Sequence, residues 1–295
     1  SKPTLVSYDY RPYLIGNNET VEVPTPAAAT WYIMLRGYQT YANVTLVATY
    51  SVSLPGNDFT KDPNAVALWR FESTKLTLDS IGTNKLTNEN NGVVADLVTF
   101  KEGESAARFK PAPSWADRNW LAIPDANLAA NFPGKNGTGN KKFSISLWVR
   151  FDVIPVVTKE WPLITKMNWV TSKSYGITCI EGGKIALYAG TDQRLVHGSA
   201  LTTGRWYHIT ATFDDAAHKG TIRIWDDTAG AILGTDAQKT DFSPMVINNA
   251  SLLIGGWQNS WWSTLPGLLD EVVVFNDVLT TQEMDKVRAG TYGKP

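Results

Sequence analysis

The stretch FSISLWVRF, residues Phe143 to Phe151, indicates the class of the fold. Apolar and other side chains alternate along it. The apolar positions are Phe143, Ile145, Leu147 and Val149, and between them stand Ser144, Ser146, Trp148 and Arg150. A period of two residues is typical of a β-strand, because successive side chains point to opposite faces. The stretch therefore predicts a strand with two unlike faces, one of which covers a core.

Similar short runs recur along the rest of the chain, with turn-forming residues between them. They are VALWRFE, YGITCI, KIALYAG, WYHITATFD, GTIRIWDD, ASLLIGG and LLDEVVVF. Gly182-Gly183 and residues 226–230 are typical of hairpin turns. A helix is predicted only in LTTQEMDKVRAG, where Thr280 and Glu283 have the spacing of a capping box. Many antiparallel strands and one short helix predict an all-β sandwich or jelly roll.

Composition excludes several classes of function. The 295 residues carry a net charge of −1 and 19% charged residues, so no basic surface for nucleic acid or anionic membrane is expected. The longest apolar runs have the length of a strand, which argues against membrane insertion. One cysteine and three scattered histidines give no ligand spacing for zinc.

A segment rich in turn-forming residues predicts the domain organisation of the chain. SLPGNDFTKDPNA, Ser53 to Ala65, is rich in Pro, Gly, Asn and Asp and is predicted to be a linker. It separates a small β-rich segment, residues 1–52, from the large strand-rich region, residues 66–295.

Residues 66–293 resemble the laminin-G-like, concanavalin A-like jelly-roll modules of bacterial exported proteins. The similar segments occur in the family's order: LWRFEST, LDSIG, RFKPAPSWADRNWLAIPD, FSISLWVRF, GRWYHITATFD, SLLIGG and GLLDEVVVFNDVLTTQEM. The resemblance implies a concanavalin A-like jelly-roll β-sandwich, with two curved antiparallel sheets and a terminal helical turn.

Residues 1–50 resemble the second half of a bacterial pre-peptidase C-terminal domain, in SYDYRPYLIGNNET and ATWYIMLRGYQTYANVTLVATY. Cysteines that this family often has are replaced here by Tyr10 and Val21. The family's first half has no counterpart in the chain, so we expect a small, incomplete N-terminal β-domain. The family occurs on secreted proteases and other hydrolases, which implies a secreted or cell-surface location and other domains of a larger parent protein as partners.

The jelly-roll resemblance also implies one structural Ca²⁺. In that family, aspartates at the positions of Asp79 (LDSIG) and Asp270 (GLLDEV) commonly help to bind it. Calcium takes six to eight oxygen ligands, so backbone carbonyls and waters would have to complete the site. The alternative is that Asp79 caps a turn and Asp270 pairs with a basic side chain.

Twelve tryptophans are the most unusual feature of the composition. Half of them lie in sequence typical of loops, and three of these fall in GGWQNSWWSTLPG. An indole ring can stack on a sugar, and neighbouring amides can bind hydroxyl groups in fixed directions. The predicted glycan-binding residues are Trp115, Trp161, Trp169, Trp257, Gln258, Asn259, Trp261 and Trp262. The alternatives are packing at the end of the sandwich and contact with another domain or protein.

Three functions follow from these patterns. The first is a noncatalytic accessory region of an exported bacterial protein, which binds polysaccharide or glycan through surface tryptophans on a calcium-stabilised jelly roll. The second is a module for protein adhesion or interdomain assembly. The third is a polysaccharide lyase or glycoside hydrolase of the same fold. The paired strand carboxylates of concanavalin-like glucanases are missing from the sequence, so a noncatalytic module is favoured.

Overall fold

The computed structural model describes residues 56–110, 115–117, 119–156, 159–168, 172–191, 193–257 and 264–294, and the isolated positions 7, 32–34, 42 and 45. The chain divides into two compact units, Ser1–Val52 and Ser53–Pro295. The predicted N-terminal β-domain lies almost wholly outside the described residues. The elements below belong to the second unit.

Within the described residues, the second unit holds sixteen β-strands and one α-helix. The strands are β1 (Ala65–Trp69), β2 (Thr87–Asn88), β3 (Val94–Asp96), β4 (Ala106–Phe109), β5 (Leu121–Ile123), β6 (Lys142–Phe151), β7 (Trp161–Asn168), β8 (Ser172–Ile180), β9 (Lys184–Ala189), β10 (Gln193–Ala200), β11 (Trp206–Asp214), β12 (Lys219–Asp226), β13 (Ala231–Ile232), β14 (Ala237–Lys239), β15 (Leu252–Ile254) and β16 (Gly267–Phe275), and the helix is α1 (Thr281–Arg288).

The strands form two antiparallel sheets. The nine-stranded sheet has the order β13-β12-β11-β6-β16-β4-β3, with β1 also paired to β16 and β14 to β12. The seven-stranded sheet has the order β10-β9-β8-β7-β15-β5-β2. Several neighbours in these orders are distant in sequence, such as β6 and β16, β16 and β4, and β15 and β5, as jelly-roll crossovers require. The predicted all-β jelly roll is confirmed.

The core lies between the two sheets. Ile145 and Leu147 of β6 are fully buried and belong to the same apolar cluster as Ile177 of β8 and Leu187 of β9. The alternation in FSISLWVRF therefore predicted correctly which face of β6 covers the core.

The second face of β6 is also buried, which the alternation did not predict. Ser144 and Ser146 have no exposed surface, and Trp148 is 3% exposed. The C-terminal segment covers this face at Ser144, whose hydroxyl donates to the carbonyl of Asp277 and accepts the amide N–H of Leu279. Small hydroxyl side chains allow this close approach, and the hydrogen bonds compensate their burial.

The predicted helix and its cap are confirmed. The Thr280 hydroxyl accepts the N–H of Glu283, and the Glu283 carboxylate accepts the N–H of Thr280. Gly290, two residues beyond the helix, has φ +70°, a conformation that glycine adopts without strain. Among the described residues, no helix is long and apolar enough to cross a membrane.

Part of the predicted linker, residues 53–65, is packed rather than extended. The Asn57 side chain donates to the carbonyl of Val287 at 2.8 Å and accepts the N–H of Tyr292 at 2.9 Å. Phe59 is 2% exposed, with its ring 5.7 Å from that of Phe275. The Asn57 hydrogen bonds and the Phe59 ring together fix this segment against the C-terminal region.

Candidate functional site

The register of the seven-stranded sheet places a set of polar and aromatic side chains on its outer face. Ile177 pairs with Leu187 on the core side. The adjacent pair is Thr178 with Ala186, so these side chains point away from the core. By the same alternation Tyr188 faces outward, and Arg194 of the edge strand β10 lies opposite it.

Five residues, called here the outer-face cluster, meet on this surface: Glu160, Thr178, Tyr188, Arg194 and Trp257. The Tyr188 hydroxyl donates to Glu160 Oε1 at 2.8 Å, and the Thr178 hydroxyl donates to Glu160 Oε2 at 3.3 Å. Arg194 Nη1 donates to the Tyr188 hydroxyl at 3.4 Å and lies 4.0 Å from Glu160 Oε1. The Glu160 carboxylate is therefore contacted by side chains from three strands, β8, β9 and β10.

The cluster has a buried aromatic part and an accessible polar part. Tyr188 and Trp257 are 6% and 4% exposed, with ring centroids 6.5 Å apart and planes 74° apart. The side chains of Arg194 and Glu160 are 52% and 25% exposed. Burial raises the pKa of Tyr188 to about 12, so this phenol stays protonated and remains a donor to Glu160 at neutral pH.

Two of the predicted glycan-binding tryptophans are not surface residues. Trp257 packs with Tyr188, Met167 and Ala186 over the outer face of the sheet. Trp161 is the first residue of β7, is 8% exposed, and its indole N–H donates to the carbonyl of Val153 at 3.0 Å. The expectation that these two rings are presented to solvent is wrong, because both pack against the sandwich.

The other predicted glycan-binding residues lie outside what the structure describes. They are Trp169, Gln258, Asn259, Trp261 and Trp262, together with the side chain of Trp115. Trp169 follows the last residue of β7 in sequence, and residue 258 follows Trp257. Their part in glycan binding stays a prediction.

Sequence reasoning missed four members of the cluster: Glu160, Thr178, Tyr188 and Arg194. For two of them a signal was present: in KIALYAG, Tyr188 lies between the core residues Leu187 and Ala189, and in QRLV, Arg194 precedes the core residue Leu195. Without knowledge of which strands are neighbours, these outward positions could not be joined into one site.

Asp79, one of the two predicted calcium ligands, is saturated by N–H donors. Its Oδ1 accepts the backbone N–H groups of Leu68, Ile81 and Gly82, and its Oδ2 accepts the backbone and side-chain N–H groups of Asn84. A carboxylate has about four lone-pair sites, so none is left for an ion. Asp79 does not fit a calcium ligand in this arrangement.

Asp270 lies at a bulge in β16 and is fully buried. It accepts the N–H groups of Lys101 at 2.8 Å, Glu102 at 3.0 Å and Glu271 at 2.9 Å, while burial raises its pKa. Glu271 Oε2 pairs with Arg70 at 2.8 Å, and its buried Oε1 has no hydrogen-bond partner in the described part of the chain. Asp270 Oδ1 accepts one N–H among the described residues, so Asp270 fits a calcium ligand better than Asp79 does.

Side-chain ligands alone form no metal centre in the described ranges, since no three His, Cys, Asp or Glu side chains are placed to hold an ion there. Any calcium at Asp270 would depend on backbone carbonyls and waters for the remaining ligands.

Two antiparallel sheets packed around one core, with a polar and aromatic outer face on the smaller sheet, define a jelly-roll module of the lectin-like class. Residues 119–285 match the concanavalin A-like lectin/glucanases superfamily, and the chain belongs to this superfamily.

Solved structures with similar folds include domains of two other proteins. Domain 4 of AbnA, a GH43 extracellular arabinanase from Geobacillus stearothermophilus solved in complex with arabinotriose, has a TM-score of 0.53 and 18% identity, and the match covers 76% of this chain and 98% of that one. The binding domain of Paraclostridial Mosquitocidal Protein 1 has a TM-score of 0.54 and 16% identity, and the match covers 80% and 56%. At such identities the likeness shows the fold.

Short matches to bacterial proteases are also found. The chain is 54% identical over 48 residues to a neutral protease of Vibrio proteolyticus and 43% identical over 51 residues to xanthomonalisin of Xanthomonas. These matches cover 16% and 17% of this chain but only 8% and 6% of the proteases. They are consistent with the resemblance to the pre-peptidase C-terminal domain.

Proposed function

We propose that this chain is a noncatalytic accessory region of an exported bacterial protein and that its jelly roll binds polysaccharide or glycan. The observation that carries the proposal is the outer-face cluster. Glu160 and Arg194 offer acceptors and donors at the surface, and Tyr188 and Thr178 fix the Glu160 carboxylate from below. Fixed polar groups of this kind suit hydroxyl groups, which need acceptors and donors in set directions.

Two comparisons support the proposal. The fold aligns with nearly all of an arabinanase domain that was solved with arabinotriose. One of the short protease matches is to an enzyme named extracellular protease, from Xanthomonas campestris. Tethering to a parent protein would strengthen a weak sugar site, because a linked second contact acts at high effective concentration.

The proposal includes the structural calcium ion implied by the family resemblance. Asp270, whose Oδ1 accepts one N–H among the described residues, is the better supported of the two predicted ligands. An ion there would tie the loop at Lys101 and Glu102 to strand β16.

Titration of the full chain with soluble polysaccharides tests glycan binding. Intrinsic fluorescence should change saturably with one glycan class, because Trp257 packs in the cluster. Arg194→Ala should weaken that binding about tenfold, the loss of roughly 1.4 kcal/mol from charge-assisted hydrogen bonds. Lys219→Ala, an exposed cation on the other sheet, is the matched control and should leave it unchanged. Trp261→Ala and Trp262→Ala test whether the predicted tryptophans contribute.

A second candidate function is contact with another protein or domain. The observation that favours it is an exposed apolar segment after β3, where Leu97, Val98 and Phe100 are 62%, 90% and 38% exposed. Neighbouring exposed apolar side chains of this kind often mark interaction surfaces. If no glycan binds the folded chain, this function replaces the first.

A further inference from the structure

We infer that the outer-face cluster selects neutral saccharides bearing a vicinal diol over uronic acids and other anionic glycans. The inference rests on the proposed function and names the ligand class of the same site. It is carried by the pairing of charges at the cluster and by the directions in which its polar groups are held.

The charges of the cluster balance. Arg194 is its cation and Glu160 its anion, and their atoms approach to 4.0 Å. A ligand carboxylate placed on the guanidinium would lie beside the Glu160 carboxylate at a partly buried position, where like charges repel more strongly than in bulk water. A neutral ligand avoids this repulsion.

The hydrogen bonds fix Glu160 as an acceptor. Its two oxygens each accept one hydroxyl, from Tyr188 and Thr178 respectively, which leaves further lone pairs on both atoms. Since Tyr188 stays protonated at neutral pH, it does not compete with a ligand as an anion. A sugar hydroxyl can therefore donate to Glu160.

Arg194 supplies the complementary donor. Within the described residues its guanidinium makes one hydrogen bond, to the Tyr188 hydroxyl, and a guanidinium has five N–H groups. With half of the side chain exposed, donors remain for a ligand. Two adjacent hydroxyls of one sugar, one donating to Glu160 and one accepting from Arg194, match this arrangement.

Calorimetric titration of the full chain with two sets of probes tests the inference. The neutral probes are linear arabinan, galactan and xylan, and the anionic probes are polygalacturonate and alginate, each at low and at high NaCl. A neutral glycan should bind at least about tenfold more tightly than either uronate. Its affinity should change little with salt, because no net charge is neutralised on binding.

The Glu160→Gln variant tests the role of the carboxylate charge, because glutamine has nearly the same size and shape as glutamate. The amide keeps an acceptor oxygen but loses the charge, so neutral binding should weaken about tenfold and uronate binding should strengthen. Glu181→Gln, an exposed acid in the turn between β8 and β9, is the matched control and should change neither. Circular dichroism of each variant checks that the fold is retained, and Arg194→Lys provides a second substitution at the cluster.

The outcomes distinguish the two proposals. If neither set of probes binds, the proposed function fails and the inference fails with it. If a uronate binds more tightly, weakens with salt and is lost in Arg194→Ala, while Glu160→Gln binds it unchanged, glycan binding stands and the inference of a neutral ligand is overturned.

Discussion

At the scale of single residues, two buried ionisable groups show how the sandwich accommodates polarity. His208 of β11 is 5% exposed, and its Nε2 lies 2.9 Å from the hydroxyl of Ser146. Burial lowers the pKa of His208 to about 3, so the ring is neutral at pH 7. Lys166 of β7 has no exposed surface; burial lowers its pKa, and a 2.7 Å pair with Asp125 opposes that shift. His208 is buried as a neutral ring and Lys166 is buried beside a counter-charge, because an unpaired charge is costly in an apolar interior.

His208 should make the folded state less stable in acid. The folded pKa of about 3 lies below the unfolded value near 6.5, so the unfolded chain binds the proton first. The contribution of neutral His208 to the free energy of unfolding is fully present above pH 6.5. It is lost as the pH falls from there toward 3, by a maximum on the order of 5 kcal/mol. Urea unfolding from pH 7 to pH 4 measures it, with His208→Gln as comparison. The variant should lose less stability over this range than the wild type, and equal slopes would contradict the assignment.

Lys166→Met should destabilise the protein by about 3–5 kcal/mol, because Asp125 would be left buried without its counter-charge. The ammonium group also donates to the carbonyls of Asn248 and Ala250, both at 3.0 Å, and these would lose their donor. Chemical denaturation measures the change. The double variant Lys166→Met with Asp125→Asn should recover part of the loss; a double variant as unstable as the sum of the single ones would show that the two side chains are not coupled.

At the scale of elements, the C-terminal helix α1 packs against one face of the nine-stranded sheet and buries apolar side chains there. Met284 and Val287 of α1 pack with Phe275 and Leu68. Two neighbouring helix residues make polar contacts. Asp285 pairs with Arg223 of β12 at 3.0 Å, and the guanidinium of Arg288 lies 3.8 Å from the ring centroid of Trp225. Eight residues are too few for a stable isolated helix, so α1 depends on these contacts and on its cap.

Thr280→Ala should lower the free energy of unfolding by about 1 kcal/mol, the usual contribution of an N-cap hydroxyl. The loss arises because the N–H of Glu283 no longer has the Thr280 oxygen as acceptor. Thr281→Ala, one residue into the helix and exposed, is the matched control. It should be neutral or slightly stabilising, because alanine has the higher helix propensity. Equal losses in both variants would show that the cap does not contribute.

At the scale of the whole molecule, strand β16 connects the early and late parts of the sequence. It pairs with β6 on one side and with β4 and β1 on the other, and Asp270 lies at the bulge in its pairing with β6. Any ion bound at Asp270 would stabilise this junction, since a ligand that binds only the folded state raises its stability.

Calcium should therefore raise the melting temperature of the chain relative to the same sample in a chelator. The shift should be lost in Asp270→Asn and kept in Asp79→Asn. Asp79→Asn should itself lower the melting temperature, because one of the two oxygens that accept N–H groups becomes an NH2 donor facing them. Differential scanning fluorimetry measures both variants. A melting temperature unaffected by calcium in the wild type would reject the ion and leave the hydrogen bonds as the complete account of both aspartates.

Features that depend on neighbouring residues were predicted from the sequence, and contacts between distant segments were not. Alternation in FSISLWVRF predicted the core face of β6, and the spacing of Thr280 and Glu283 predicted the cap of α1, because both depend on residues close in sequence. The burial of Ser144 and the packing of Phe59 could not be predicted, since each residue contacts a segment more than a hundred residues away.

The sequence by itself determined the antiparallel strands and the capped helix α1, and its resemblance to a known family implied the concanavalin A-like sandwich. Strand periodicity, turn residues and caps act over a few residues, so they can be read locally. Only the tertiary structure decided which outward-facing side chains meet. Glu160 and Tyr188 are 28 residues apart and are joined by a 2.8 Å hydrogen bond. The order and register of the strands set that contact, because a shift of one residue would turn Tyr188 into the core.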